Sequence, residues 1–347
     1  MFPRRGSQVL LDRITRLRAG LSGTPLLSLA DERLDLVAKL EFCNPTGSAK
    51  DRSALWILEQ AIRRGDITRD TVVVESSSGN FAISLASYCR TLGIPFLPVI
   101  DPNCNAPTES YLRALCDRVE KVSERDATGG YLHTRLARVH ELVADTDGAY
   151  WPNQYANADA FDAHYRFTGG ELCRTLTKID YLFVGVGTGG TVAGVSRRVK
   201  ESFPRCTVVA VDSVGSAIFG NPPRPRRIPG IGSSIVPPLV ERAQLDDVVI
   251  VPEPWAVDGC LDLYGRHGLY AGGSTGSVYA AIQHWFAEHP VTGRRPAVVF
   301  LAADRGHAYA NTIYNPAWAS ELRAGEPTSM PAGGTAVPLG EELTWTR

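Results

Sequence analysis

Lys50 closes the run Asn44-Pro45-Thr46-Gly47-Ser48-Ala49-Lys50, just after an apolar segment, and Asp51-Arg52 follows it. An amine in a tight, glycine-containing turn between a strand and a helix is placed to form a Schiff base with an aldehyde cofactor. A lysine ahead of Asp-Arg at a helix start is also an ordinary solvated residue, so other runs must decide. The stretch Gly185 to Gly194 follows the apolar segment Tyr181 to Val184 and reads Gly-Val-Gly-Thr-Gly-Gly-Thr-Val-Ala-Gly. Successive N–H groups of such a loop at a helix N-terminus form a nest for a phosphate dianion, with the threonine hydroxyls as added donors.

Gly185, Gly187 and Gly190 also fit the dinucleotide spacing Gly-x-Gly-x-x-Gly, and Asp212 ends the next strand as a ribose partner. That alternative ranks second: it leaves Lys50 without a task and puts the first phosphate loop beyond the chain's midpoint. A third run, Glu75-Ser76-Ser77-Ser78-Gly79-Asn80, lies between the strand Val72 to Val74 and the amphipathic stretch Phe81 to Cys89. It presents amides and short polar side chains to an anionic group such as a carboxylate, although alone it reads as an N-cap cluster. Ala271 to Ser277 opens another helix with a hydroxyl within reach of a heteroaromatic nitrogen.

The elements that must position these turns are apolar runs alternating with helical patterns. The runs are Leu36 to Phe42, Val72 to Glu75, Phe96 to Ile100, Tyr181 to Val186, Thr207 to Asp212, Val248 to Val251 and Ala297 to Ala302. Continuous apolar strands flanked by helices predict an α/β fold whose mostly parallel sheets are buried on both faces. At 347 residues and 44% hydrophobic content the chain can bury two cores. The Pro- and Gly-rich segment from Pro222 to Pro238 predicts a long loop over the site, and the residues after Gly325 a loose extension.

A formal charge of −1 offers no electrostatic footprint for nucleic acid, and Arg224, Arg226 and Arg227 read as a solvated loop. No stretch reaches the roughly twenty apolar residues of a membrane span, and residues 1–18 are too charged for a signal peptide, so the expected location is the cytoplasm. Seven cysteines without a Cys-x-x-Cys pair suggest reduced thiols and no metal site; Cys43, close to Lys50, reads as a small core residue ahead of a redox handle.

In order and spacing, Lys50 within its run, Ser77-Ser78-Gly79-Asn80, the Gly185 to Gly194 loop and Gly273-Ser274 resemble the fold-type II pyridoxal-phosphate enzymes of the cysteine synthase family, over roughly residues 20–315. Within that family the chain looks most like the enzymes of 2,3-diaminopropionate biosynthesis that make N-(2-amino-2-carboxyethyl)-L-glutamate, as in the staphyloferrin B pathway. The likeness rests on Gly129 to Arg135, Ala149 to Asn157, Val211-Asp212 with Gly215-Ser216, Ile218-Phe219-Gly220, Pro229 to Gly232, and Asp304-Arg305-Gly306.

The resemblance implies pyridoxal 5'-phosphate joined to Lys50, which once displaced removes the substrate Cα proton. It implies that Gly187, Thr188, Gly189, Gly190 and Thr191 hold the cofactor phosphate, Asn80 its phenolic oxygen and Ser274 its pyridine nitrogen. It also implies O-phospho-L-serine as donor and L-glutamate as nucleophile, with Ser77, Ser78, Gly79, Asn80, Arg135, Gln154, Tyr155 and Gly232 around the substrates. Two departures stand out: Thr46 occupies a common glycine position, and Ser77 and Phe81 replace two threonines. By analogy, residues 44–156 form a small mobile domain, residues 1–43 plus 157–325 a large one, and 326–347 a tail. A homodimer is expected, as is an oxidative dehydrogenase that receives the product. Open alternatives are a cysteine synthase using sulfide, a dehydratase, and a catalytically silent partner-binding relative.

Overall fold

The computed structural model describes residues 5–325. The chain begins with helix α1 (Arg5–Ala19) and strands β1 (Leu26–Leu29) and β2 (Asp35–Leu40). It then builds α2 (Lys50–Arg64), β3 (Val72–Ser76), α3 (Asn80–Leu92), β4 (Phe96–Ile100), α4 (Ala106–Leu115), β5 (Glu120–Lys121), α5 (Leu132–Asp145) and β6 (Ala149–Tyr150). The second half contains α6 (Ala158–His164), α7 (Gly170–Thr175), β7 (Tyr181–Gly185), α8 (Gly190–Ser202), β8 (Thr207–Ser213) and β9 (Asp247–Val251). It ends with α9 (Glu253–His267), α10 (Gly273–Glu288), β10 (Ala297–Ala302) and α11 (Pro316–Gly325).

The strands form two sheets, ordered β1-β2-β10-β7-β8-β9 and β5-β4-β3-β6. Every neighbouring pair is parallel except β1 with β2. The apolar runs explain this: Leu182, Val184 and Val208 face Val192, Val195 and Val199 of α8, while Phe183, Val209 and Phe300 face Val278, Ile282 and Phe286 of α10. With both faces covered, period-two alternation disappears from the sequence. The small sheet is sandwiched likewise, with α2 and α3 packed below and α5 above. Leu10 and Ile14 of α1 are buried in the core under the small sheet, so residues 5–19 pack with α2 and α3, although the expected boundaries group them with the large unit.

The seven expected strands all form, with ends within two residues of those read from the sequence; the run to Phe42 stops at Leu40, where the backbone tightens into a 3-10 turn over Glu41–Cys43. Residues 214–237 form no helix or strand, in keeping with the expected long loop. Cys43 corrects its expectation, because it is exposed and no part of the core. All seven cysteines are free. No helix among the described residues is long and apolar enough to cross a membrane, and no cluster of potential metal ligands occurs among them. The tail expected at residues 326–347 lies outside the described residues.

Candidate active site

Lys50 is held by its neighbours. Asp51, fully buried, accepts from the Thr46 amide at 3.0 Å and hydroxyl at 2.7 Å and from Tyr88 of α3 at 2.7 Å, tying the turn to two helices. Thr46, the departure from a common glycine, thus becomes a tether. Asn44 donates to the carbonyls of Glu41 and Ser48 at 2.7 and 3.2 Å. Arg52, 1% exposed, forks onto Glu171 at 2.7 and 2.8 Å and reaches Glu41 at 3.2 Å, while Lys39 bonds Glu171 at 2.6 Å. Such a buried charge cluster is stable only when each member is paired, which fixes its geometry.

The same turn is stitched to the end of β10: Ala49 donates to Ala303 at 2.8 Å and Ser48 bridges Asp304. This brings Asp304 beside Lys50. Burial lowers the Lys50 pKa and the charge of Asp304 opposes the fall, while burial raises that of Asp304. One Asp304 oxygen accepts from Asn80 at 2.8 Å and Tyr309 at 3.0 Å; the other is buried without a partner.

Lys50 opens on a cavity of about 570 Å³ and on a smaller one beneath it. Gly187, Thr188 and Ser274 line both, whereas Gly189 and Thr191 line only the smaller. Gly190 lines neither, since it abuts Ala160 of α6. Gly189 is glycine for two reasons: its φ is +86°, and a Cβ there would meet Val240 at 2.8 Å. The N–H groups of residues 187–191 donate to no backbone carbonyl, as at the open start of a helix. His164, buried and kept neutral chiefly by desolvation, bonds Thr191 at 3.1 Å and Thr168 at 3.0 Å. A π-helical turn at Tyr165–Gly169 lets Thr168 reach back to it. Five unspent amides and two hydroxyls suit a phosphate, and a nearby amine suits its aldehyde, so these residues fit pyridoxal phosphate.

The larger cavity holds Ser77, Ser78, Gly79 and Asn80 at the start of α3, with Arg135, Gln154, Tyr155 and Gly232. The serine hydroxyls are already engaged: Ser77 accepts from Ala82 at 3.2 Å, and Ser78 donates to Asp101 at 2.9 Å. The amides of residues 78–81 are the free donors. Gln154 donates to Ser76 at 3.3 Å. Arg135 Nε lies 2.9 Å from Asp101, without the alignment of a hydrogen bond, and its Nη1 reaches Ser78 at 3.3 Å. Burial raises the Tyr155 pKa, against the attraction of Arg135 and Arg226. Asp212 touches neither cavity; it is fully buried, and its carboxyl is pushed up to about 7, so it presents no acid for a dinucleotide ribose.

Three residues escaped the sequence reading. Tyr309 and His164 carry no motif of their own, because they act through the side chains of Asp304 and Thr191. Arg226 was placed on a solvated loop, yet it lines the larger cavity.

Two mostly parallel sheets with a lysine and a phosphate nest between them define a cofactor-dependent enzyme of the α/β class. The chain belongs to the family described as "Pyridoxal-phosphate dependent enzyme", whose profile matches residues 17–303. It is 41% identical over 332 residues to the N-(2-amino-2-carboxyethyl)-L-glutamate synthase of Ralstonia nicotianae, covering 93% of this chain and 97% of that one. The enzyme of the same name from Cupriavidus metallidurans is 38% identical over 331 residues, covering 92% and 96%. Among solved structures, the O-acetylserine dependent cystathionine beta-synthase of Helicobacter pylori superposes with a TM-score of 0.77 at 25% identity, covering 90% of this chain and 99% of that one.

Proposed function

We propose that the chain joins O-phospho-L-serine and L-glutamate by β-replacement, giving N-(2-amino-2-carboxyethyl)-L-glutamate and phosphate. One observation carries this reading: a single cavity combines the Lys50 amine with free amides and with Arg135 and Tyr155, in a chain 41% identical to an enzyme named for that product. In this scheme the amides of residues 187–191, with Thr188 and Thr191, hold the cofactor phosphate, Asn80 its phenolic oxygen and Ser274 its ring nitrogen. Pyridoxal phosphate, when bound, supplies an electron-withdrawing ring that stabilises the charge left as the substrate's Cα proton departs. Lys50 Nζ takes that proton; its lowered pKa keeps a neutral amine accessible, and Asp304 limits the fall. The amides at the start of α3 orient the α-carboxylate, and Arg135 holds Ser78 and Asp101 in place beside them. Loss of the Cα proton breaks the Cβ–O bond and releases phosphate; the glutamate nitrogen then forms the new Cβ–N bond and gives up a proton, and Lys50 Nζ returns to Cα the proton it took.

Residues 44–156 act in this scheme as a smaller unit that closes on residues 1–43 and 157–325. The enzyme works as a cytoplasmic homodimer, and a dehydrogenase oxidises its product toward L-2,3-diaminopropionate for a siderophore or peptide product. Mass spectrometry of the product from O-phospho-L-serine, with glutamate and sulfide at equal concentration, tests the central step. A glutamate adduct is expected; cysteine would replace the proposal with sulfur assimilation, and pyruvate alone would exclude both nucleophiles.

A further inference from the structure

Any reaction that releases phosphate and accepts a dicarboxylate needs positive charge that the protein has not already neutralised. Arg135 is the obvious candidate by sequence, yet its guanidinium lies against Asp101 at 2.9 Å. The pair contributes little net charge to the cavity. Arg227 pairs with Glu321 at 3.0 Å and covers Trp318, so its charge is also engaged at the rim.

Arg226 differs from both. Its Nη1 donates to the Gly215 carbonyl, and although the charges of Asp212 and Glu253 reach it, neither of those residues lines the cavity that Arg226 faces. Its chain is pressed over Gly232, where a Cβ would meet Arg226 Nε at 3.1 Å in a backbone already at φ +76°. Gly215, at φ +84°, packs under its Cγ. Two glycines in conformations that other residues adopt poorly therefore seat one arginine in the cavity wall. The second observation is that Arg226, Tyr155 and Arg135 line one cavity, so the Arg226 guanidinium faces the same space as the Tyr155 hydroxyl.

We infer that Arg226, seated by Gly215 and Gly232, is the cation that receives an oxyanion of the substrates in this cavity. The inference rests on the proposed β-replacement for the names of the substrates, and two groups share the required chemistry: the phosphate of the donor and a carboxylate of the second amino acid. Arginine matches either with two parallel N–H donors.

The test uses cofactor-loaded enzyme with Arg226→Gln, Arg226→Lys and, as a charge-matched control, Arg227→Ala. Inorganic phosphate is titrated by calorimetry, and the KM for glutamate is measured at saturating O-phospho-L-serine. Arg226→Gln is expected to weaken phosphate at least tenfold if Arg226 meets the donor, or to raise the glutamate KM at least tenfold if it meets the nucleophile; Arg227→Ala should change each less than twofold. Arg226→Lys, which keeps the charge but loses the fork, should fall between. Values for Arg226→Gln within twofold of wild type in both measurements overturn the inference. If that variant does not retain cofactor, an Arg226→Lys enzyme indistinguishable from wild type overturns it instead. Phosphate titration does not depend on which nucleophile is used, so a missing glutamate adduct in the wild type defeats the proposed reaction and leaves this inference standing or falling alone.

Discussion

At the scale of single residues the site works by unequal burial. Lys50 and Asp304 face each other in a setting that suppresses charge on both, and Asn80 and Tyr309 hold the carboxylate still. Lys50→Ala should abolish the visible absorbance of bound cofactor while thermal unfolding stays within a few degrees of wild type; retained absorbance would remove Lys50 from its role. Glu75 lies behind the serine run, fully buried, with one oxygen on Trp151 at 3.2 Å and the other unpartnered. Its carboxyl is pushed up to about 8 by desolvation. Because the folded pKa lies above the unfolded one, the folded state keeps a proton that the unfolded chain has lost between the ordinary glutamate value and about 8. Stability therefore falls as pH rises through that window, by up to about 1.4 kcal/mol per pH unit from this one group. Glu75→Gln should flatten that slope in denaturation curves taken from pH 5 to pH 9, and an unchanged slope would assign it elsewhere.

Among the elements, the turn before α2 shows what local sequence could and could not reveal. The strands were legible because β2, β3, β4, β7, β8 and β10 carry apolar side chains to both faces and therefore read as largely apolar runs without period-two alternation. The two-residue strands β5 and β6 were not, since pairing with a neighbour rather than apolar content makes them, and β1, though leucine-rich, is only four residues long and half exposed. In the site, the turns that carry Lys50, the 187–191 loop and Ser274 stood out by their chemistry, and the structure brings all of them except Gly190 to the two cavities. The task of Arg52 was invisible, because its partners Glu41 and Glu171 come from separate elements and only folding assembles them. Arg226 was misread for a similar reason: a run of prolines and arginines looks solvated until Gly215 and Gly232 are seen to seat it. Arg52→Met leaves Glu41 and Glu171 buried with a lost partner, at an expected cost of about 3–5 kcal/mol. Urea denaturation reads that cost, and a loss below 1 kcal/mol would mean that the network is dispensable.

At the scale of the whole molecule, the cleft is a seam between two sheets, with α3 and α5 on one side and α8 and α10 on the other. If residues 44–156 close on the rest, O-phospho-L-serine should slow hydrogen exchange at the N-termini of α3 and α5 and along 222–238, while the centre of the large sheet stays unchanged. Uniform exchange with and without the ligand would argue for a fixed cleft. The pairing of β2 with β10 has one more consequence, and it concerns the order of events at the ribosome. Residues 35–40 find one of their two sheet neighbours only in residues 297–302, nearly the whole described chain later. Contacts this distant in sequence form late in folding. The lysine turn, stitched to Ala303 and Asp304, thus stays unfinished until the last strand has been made. Cofactor capture then reports that synthesis has passed β10, and a nascent chain stopped short of it would present an amine with no settled place.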